Sequence, residues 1–197
     1  MEGILARVNA PLLSTLNVEF FNQLTFDLRR LHQFVRANDG FKFRSAEMHF
    51  DKEFVSVTVG PQFEGGGTYP FLAQVKCQQL DWQVTCAAQI CHALEPPLAG
   101  VESLTLGFHK AGSASWQDEI DHEQWHGLFR KFAGVKNLQL TGGLVGDLFR
   151  ALLLDEGELL PELRELVSGG WGHTDDAFAS FISARQSAGR RVRLVRN

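Results

Sequence analysis

The sequence predicts one α/β domain of stacked strand–helix units, and three observations carry that prediction. First, Leu13-x-x-Leu16-x-Val18 is echoed at Val101-x-x-Leu104-x-Leu106, Val135-x-x-Leu138-x-Leu140 and Leu163-x-x-Leu166. Second, one central apolar residue per unit forms the series Leu16, Met48, Val75, Leu104, Leu138, Leu166, Leu194, in steps of 32, 27, 29, 34, 28 and 28 residues. Third, most of these anchors are followed by a stretch whose apolar residues recur at helical spacing. A single short unit cannot bury its own apolar face, so neighbours must stack into a continuous core, leaving the outer strand faces on a shared surface.

The steps fit long leucine-rich repeats, each a strand followed by a helix. The expected architecture is therefore an irregular leucine-rich-repeat solenoid: a curved parallel sheet, helices on its convex side, and a β-hairpin-like insertion near residues 44–59. Residues 1–197 are expected to form a single domain of about seven strand units, the C-terminal part of a longer solenoid.

Unit one pairs a strand at 16–21 with a helix at 25–37, where Phe26, Leu28, Leu31, Phe34 and Val35 keep near-helical spacing and Asn38-Asp39-Gly40 supplies the stop. Residues 41–59 then alternate apolar and polar around Asp51-Lys52-Glu53, which predicts two strands and a tight turn where a helix should be. The second and third units are the weak ones, since Ala46-x-Met48-x-Phe50 and Ala73-x-Val75-x-Cys77 lack leucines. Unit three has a strand at 71–77 and a helix at about 81–94, ended by Pro96-Pro97. Unit four has a strand at 102–106, a polar loop at 112–115 and a helix at 118–132 with Trp125, Leu128, Phe129 and Phe132 on one face. Strands at 136–140 and 163–167 precede helices at 145–154 and 175–188; Gly189 ends the latter, and a last strand covers 191–195.

Composition narrows the function. With 44% hydrophobic and 21% charged residues, 197 residues suffice for one sizeable core. A net charge of −4 gives no electrostatic reason to expect nucleic acid, which calls for a basic patch. The cluster Arg190, Arg191, Arg193 and Arg196 reads as a solvated last strand whose charges discourage edge pairing. Cys77, Cys86 and Cys91 match neither a zinc knuckle nor a disulfide framework, so a reducing, intracellular setting (cytoplasm or nucleus) is expected, with Cys86 and Cys91 as core thiols. Neither a signal peptide nor a membrane span is predicted.

One motif looks catalytic. His122-Glu123-Gln124-Trp125-His126 spells H-E-x-x-H, which on a helix can place two imidazoles on one zinc with the glutamate as general base. The extended form fails, because Phe129 and Phe132 stand where the glycine and third histidine belong. Glu156 and Glu158 fall in a later turn with nothing to aim them. The expected reading is no catalytic residue, no metal and no cofactor, with a zinc hydrolase as the alternative and a partnerless structural repeat as another. Elsewhere, Gly65-Gly66-Gly67 lacks the lysine of a phosphate loop, and Ser168 reads as a turn residue. Trp82 and Trp125 read as core plugs, whereas Trp116 and Trp171 stand among polar residues and glycines.

Several stretches resemble the leucine-rich region of basidiomycete F-box-like proteins. They are Ala10-Pro11-Leu12-Leu13-Ser14-Thr15-Leu16 with Phe20-Phe21-Asn22-Gln23-Leu24; Leu80-Asp81-Trp82-Gln83; Trp116-Gln117-Asp118 with Gln124-Trp125; Phe132 to Leu138; and Phe181-Ile182-Ser183-Ala184-Arg185-Gln186. The resemblance implies a substrate-binding repeat region of a ubiquitin-ligase receptor. A Skp-type adaptor would join only through an F-box upstream, which this sequence lacks. It also implies that His122 and His126 are incidental.

The function predicted is non-enzymatic recognition of a protein target, without nucleic acid or membrane. If the anchors face the core, the alternate residues face the open sheet. These are Asn17, Glu19, Glu47, His49, Gln74, Lys76, Ser103, Thr105, Asn137, Gln139, Glu165 and Arg193.

Overall fold

In the computed structural model the described residues are 15–21, 28–37, 42–61, 71–108, 122–142, 145–153, 159–169 and 176–196. They form β1 (Leu16–Phe21), α1 (Arg29–Arg36), β2 (Ser45–Phe50), β3 (Phe54–Gly60), β4 (Phe71–Lys76), α2 (Leu80–Ala93), β5 (Ser103–Phe108), α3 (His122–Phe129), β6 (Asn137–Gly142), α4 (Val145–Leu153), β7 (Glu165–Gly169), α5 (Asp176–Ser187) and β8 (Arg193–Arg196). Short 3₁₀ turns at Pro97–Gly100 and Arg130–Phe132 follow α2 and α3. The expected elements therefore exist, with ends shifted by a few residues. The predicted stop at 38–40, the Gly65-Gly66-Gly67 segment, the loop at 112–115, Trp116 and Trp171 lie outside the described residues.

All eight strands join one sheet in the order β1-β4-β3-β2-β5-β6-β7-β8. Every neighbouring pair is parallel except β2–β3 and β3–β4, so β3 alone runs against the rest. The expected hairpin near 44–59 is thus β2 and β3. Strands β5 to β8 follow sequence order, as stacked repeats do, but the first half does not. The β2–β3–β4 meander carries the chain back toward β1, and α2 then crosses β3 and β2 to reach β5. Each parallel link (β1 to β2, β4 to β5, and each step to β8) advances in the same direction along the sheet. Among the described residues, right-handed crossovers therefore place the helices on one face and leave the other open.

Register corrects two of the anchors. Pairing aligns Leu16, Phe71, Val59, Ala46, Leu104, Leu138, Leu166 and Leu194 in one row. Met48 instead pairs with Leu106, and Val75 with Phe20. The physical reason is the period of two: Ala46 and Met48 lie on the same face, and alternation cannot say which of them stands in the row.

A repeated turn sets this register from β5 onward. Val101, Val135 and Leu163 each donate N–H to the carbonyl three residues back, on Leu98, Phe132 and Leu160. The next two N–H groups then share one carbonyl of the preceding unit. Glu102 and Ser103 bond Arg44, Lys136 and Asn137 bond Glu102, and Arg164 and Glu165 bond Lys136.

The core lies between the sheet and the helices. Ala46, Met48, Val55, Val57, Leu104, Leu106, Leu138 and Leu140 are all buried there. Trp125 is a core plug as predicted, packed on Phe129, Phe50 and Phe108 with ring centroids 5.8, 5.5 and 6.1 Å away. Trp82 is not: it is 46% exposed, because the buried side of α2 is carried by Leu80, Gln83, Val84, Ala87 and Ile90. Gln83, rather than the tryptophan beside it, turns inward and donates to the carbonyl of Asp51 at 2.7 Å and to that of Cys77. All three cysteines are buried and free, and burial pushes the Cys86 thiol up to about 12. Gly189 ends α5 with φ +75°, the left-handed geometry expected of it. Ser168 falls within β7 instead of a turn, since the parallel ladder to β6 and β8 continues through it.

Candidate recognition face of the sheet

Because alternate strand residues point to opposite faces, the predicted recognition residues share the open face. Cross-strand pairing sets them in rows. Ser103, Asn137, Glu165 and Arg193 form one. Asn17, Leu72, Thr58, Glu47, Thr105, Gln139, Val167 and Val195 form a second. Glu19, Gln74, Ser56, His49, Gly107 and Thr141 form a third, and Lys76 lies beyond it at the end of β4. Every candidate is half-buried or exposed.

Local chemistry holds several of these side chains in place. His49 and Glu47, two residues apart on β2, meet at 2.7 Å between Nε2 and Oε1. That hydrogen bond, more than the charge of the imidazole, holds the Glu47 carboxyl below its ordinary range. The ring leans over Gly107, where a Cβ would clash with Nδ1 and stand 2.9 Å from Cε1. Glycine at 107 is thus what lets His49 lie flat against β5. Elsewhere Asn137 Nδ2 donates to Ser103 Oγ at 3.3 Å, Arg193 meets Glu165 at 3.3 Å, and Lys76 meets Glu19 at 3.6 Å. At the strand starts, Glu102 accepts from Lys136 at 3.2 Å and from Arg44 at 2.7 Å, and its carboxyl is lowered by both, Lys136 first.

Sequence reasoning missed part of this surface. Ser56 and Thr58 reach it because β3 is inserted between β2 and β4, which no repeat pattern shows. Thr58 is buried, flanked in its row by Leu72 and Glu47. Leu72, Val167 and Val195 add half-buried apolar patches. Simple alternation from Glu165 and from Arg193 would have found the two valines.

The H-E-x-x-H motif lies in the opposite layer, on α3. The side chain of His122 lies outside what is described. His126 is buried, and its Nε2–H donates to the carbonyl of Ala151 at 2.7 Å. Ala151 belongs to the last turn of α4, where carbonyls have no intrahelical partner. His126 is therefore a cap that ties α3 to α4, not an incidental residue, and zinc at Nε2 would have to break that bond. Trp125 and Phe129 bury the adjoining face, while Glu123 is exposed. Among the described residues no group of three His, Cys, Asp or Glu is placed to hold a metal ion, and no helix is long and apolar enough to cross a membrane.

Serine-based nucleophilic chemistry has no better support on the open face. Ser56 pairs across from His49, but the imidazole gives one nitrogen to Glu47 and turns the other toward β5, away from the β3 side. The face offers hydrogen-bond donors, acceptors and small apolar patches spread over the strands. Compared with protein-family models, with curated proteins and with solved structures, the chain returns no match.

Proposed function

We propose that this protein is a non-enzymatic recognition module that holds a protein partner on the open face of its sheet. The observation that carries the reading is the alignment of the polar residues from Asn17 to Arg193 in continuous rows on one face. Such a face suits a protein surface: rows of Asn, Gln, Thr and Ser read backbone and side-chain groups, while Leu72, Val167 and Val195 supply apolar contact.

A leucine-rich-repeat ancestry is part of the proposal. It is supported by the shared turn and bifurcated carbonyl that recur from β5 to β7, and the meander at β2–β4 departs from it. The resemblance to F-box-like receptors extends the reading to the substrate-binding half of a ubiquitin-ligase receptor, acting inside the cell with a Skp-type adaptor recruited by an upstream F-box. Buried, reduced cysteines fit that setting.

A photo-crosslinking amino acid at Gln139, and a control at the exposed Gln186 on α5 in the helix layer, locate the contact. A partner trapped from position 139 is then purified and its affinity measured. Asn137→Ala with Gln139→Ala weakens binding about tenfold or more while the melting temperature holds. Equal capture at both positions, or unchanged affinity of the double variant, refutes the assignment.

A further inference from the structure

We infer a second docking surface, on the helix layer: a groove that takes an acidic amphipathic helix from a partner protein. The groove has a volume of about 970 Å³. Its floor is the outer face of α2, where Thr85, Ala88, Gln89 and His92 recur at helical spacing. From Thr85 to His92 that floor runs about 10 Å at 1.5 Å per residue, two turns of a helix. Leu28, Arg29 and Gln33 of the α1 segment form one wall, and Gln124, Gly127 and Arg130 of the α3 segment form the other.

The walls are held apart by specific contacts. His32 Nδ1–H donates to the carbonyl of Ala93 at 3.2 Å, fixing α1 to the C-terminal end of α2. Thr85 Oγ1 donates to Gln124 Oε1 at 2.9 Å, fixing α3 to its first turns. Lys131 Nζ reaches Glu95 at 3.0 Å and fastens the segment after α3 to the segment after α2. Between these ties the groove stays clear, because Ala88 on the floor is small and Gly127 on the wall has no side chain. A Cβ at Gly127 would meet nothing within 4 Å.

Charge selects the occupant. Among the described residues the lining carries Arg29, Arg130 and Lys131 and one carboxylate, that of Glu95, the reverse of the net charge of −4 on the whole chain. A helix with small apolar residues along one side and carboxylates on its flanks matches both floor and rim, the helix-in-groove mode of recognition. This surface is opposite the open sheet face and independent of the role proposed there.

The test uses the full chain and two fluorescein-labelled synthetic peptides. Both carry leucine and alanine at i, i+3, i+4 and i+7; one fills the remaining positions with glutamate and the other with lysine. Fluorescence anisotropy should show binding of the acidic peptide only. Gly127→Leu, which fills open space and raises helix propensity, should weaken it at least about tenfold. Arg130→Glu, at an exposed position, should do the same, whereas Gln139→Arg on the sheet face should leave it unchanged. Equal binding of the two peptides, or affinity indifferent to Gly127→Leu, overturns the proposal. So does concentration-dependent self-association abolished by Gly127→Leu, which would give the groove to a second copy of the chain.

Discussion

His126→Leu separates a structural histidine from a metal ligand in one substitution. In the native protein the buried imidazole gives Nε2–H to the carbonyl of Ala151 at 2.7 Å. Leucine has similar bulk but no donor, so the carbonyl, in the last turn of α4, loses its partner in a place that water does not reach. An orphaned buried carbonyl costs about 1–3 kcal/mol, so the expected loss is about 2 kcal/mol. For a domain of this size each kcal/mol lowers the melting temperature by roughly 2–4 °C, which gives a fall of about 4–8 °C. Circular dichroism during thermal and urea unfolding measures it, with zinc and with a chelator. The cap predicts the same loss in both, and no stabilisation of the native protein by stoichiometric zinc. Stability within about 0.5 kcal/mol of the native protein would refute the cap. A large zinc-dependent rise in melting temperature, lost in the variant, would revive the zinc hydrolase and make Glu123→Gln the next experiment.

Other outcomes follow from the same geometry. Trp125→Ala should cost about 3–5 kcal/mol, because the indole fills the space between α3 and strands β2 and β5, whereas Trp82→Ala should cost under about 1 kcal/mol; urea midpoints compare them, and equal costs would contradict the burial described. The Glu47 carboxyl sits below its ordinary value of 4.5 because His49 donates to it. Its contribution to stability is therefore present above that value and lost as pH falls through the lowered one. His49→Ala should remove this acid dependence and raise the Glu47 carboxyl toward 4.5, as read by NMR titration; an unmoved carboxyl would sink the pairing.

The open sheet face and the helix groove differ in how far the sequence reveals them. Asn137, Gln139 and Glu165 were readable because each stands one residue from a leucine at a fixed spacing, and strand geometry sends neighbours to opposite faces. Ser56 and Thr58 were not, since their place depends on β3 entering the sheet between strands that repetition would make adjacent. The groove was invisible: Leu28, Ala88 and Gly127 are far apart in sequence and meet only when α1, α2 and α3 take their places over the sheet.

By itself, then, the chain's pattern determined the α/β class, the alternation of strands and helices, the hairpin at β2–β3 and the inward face of each strand. These are local consequences of periods of two and 3.6. Tertiary structure alone decided the order β1-β4-β3-β2-β5, the row that puts Ala46 rather than Met48 beside Leu104, the exposure of Trp82 and the capping role of His126. Strand order and register depend on which backbone hydrogen bonds close between distant segments. A histidine becomes a cap or a ligand according to what lies opposite its ring, and for His126 that is a carbonyl 25 residues away in sequence.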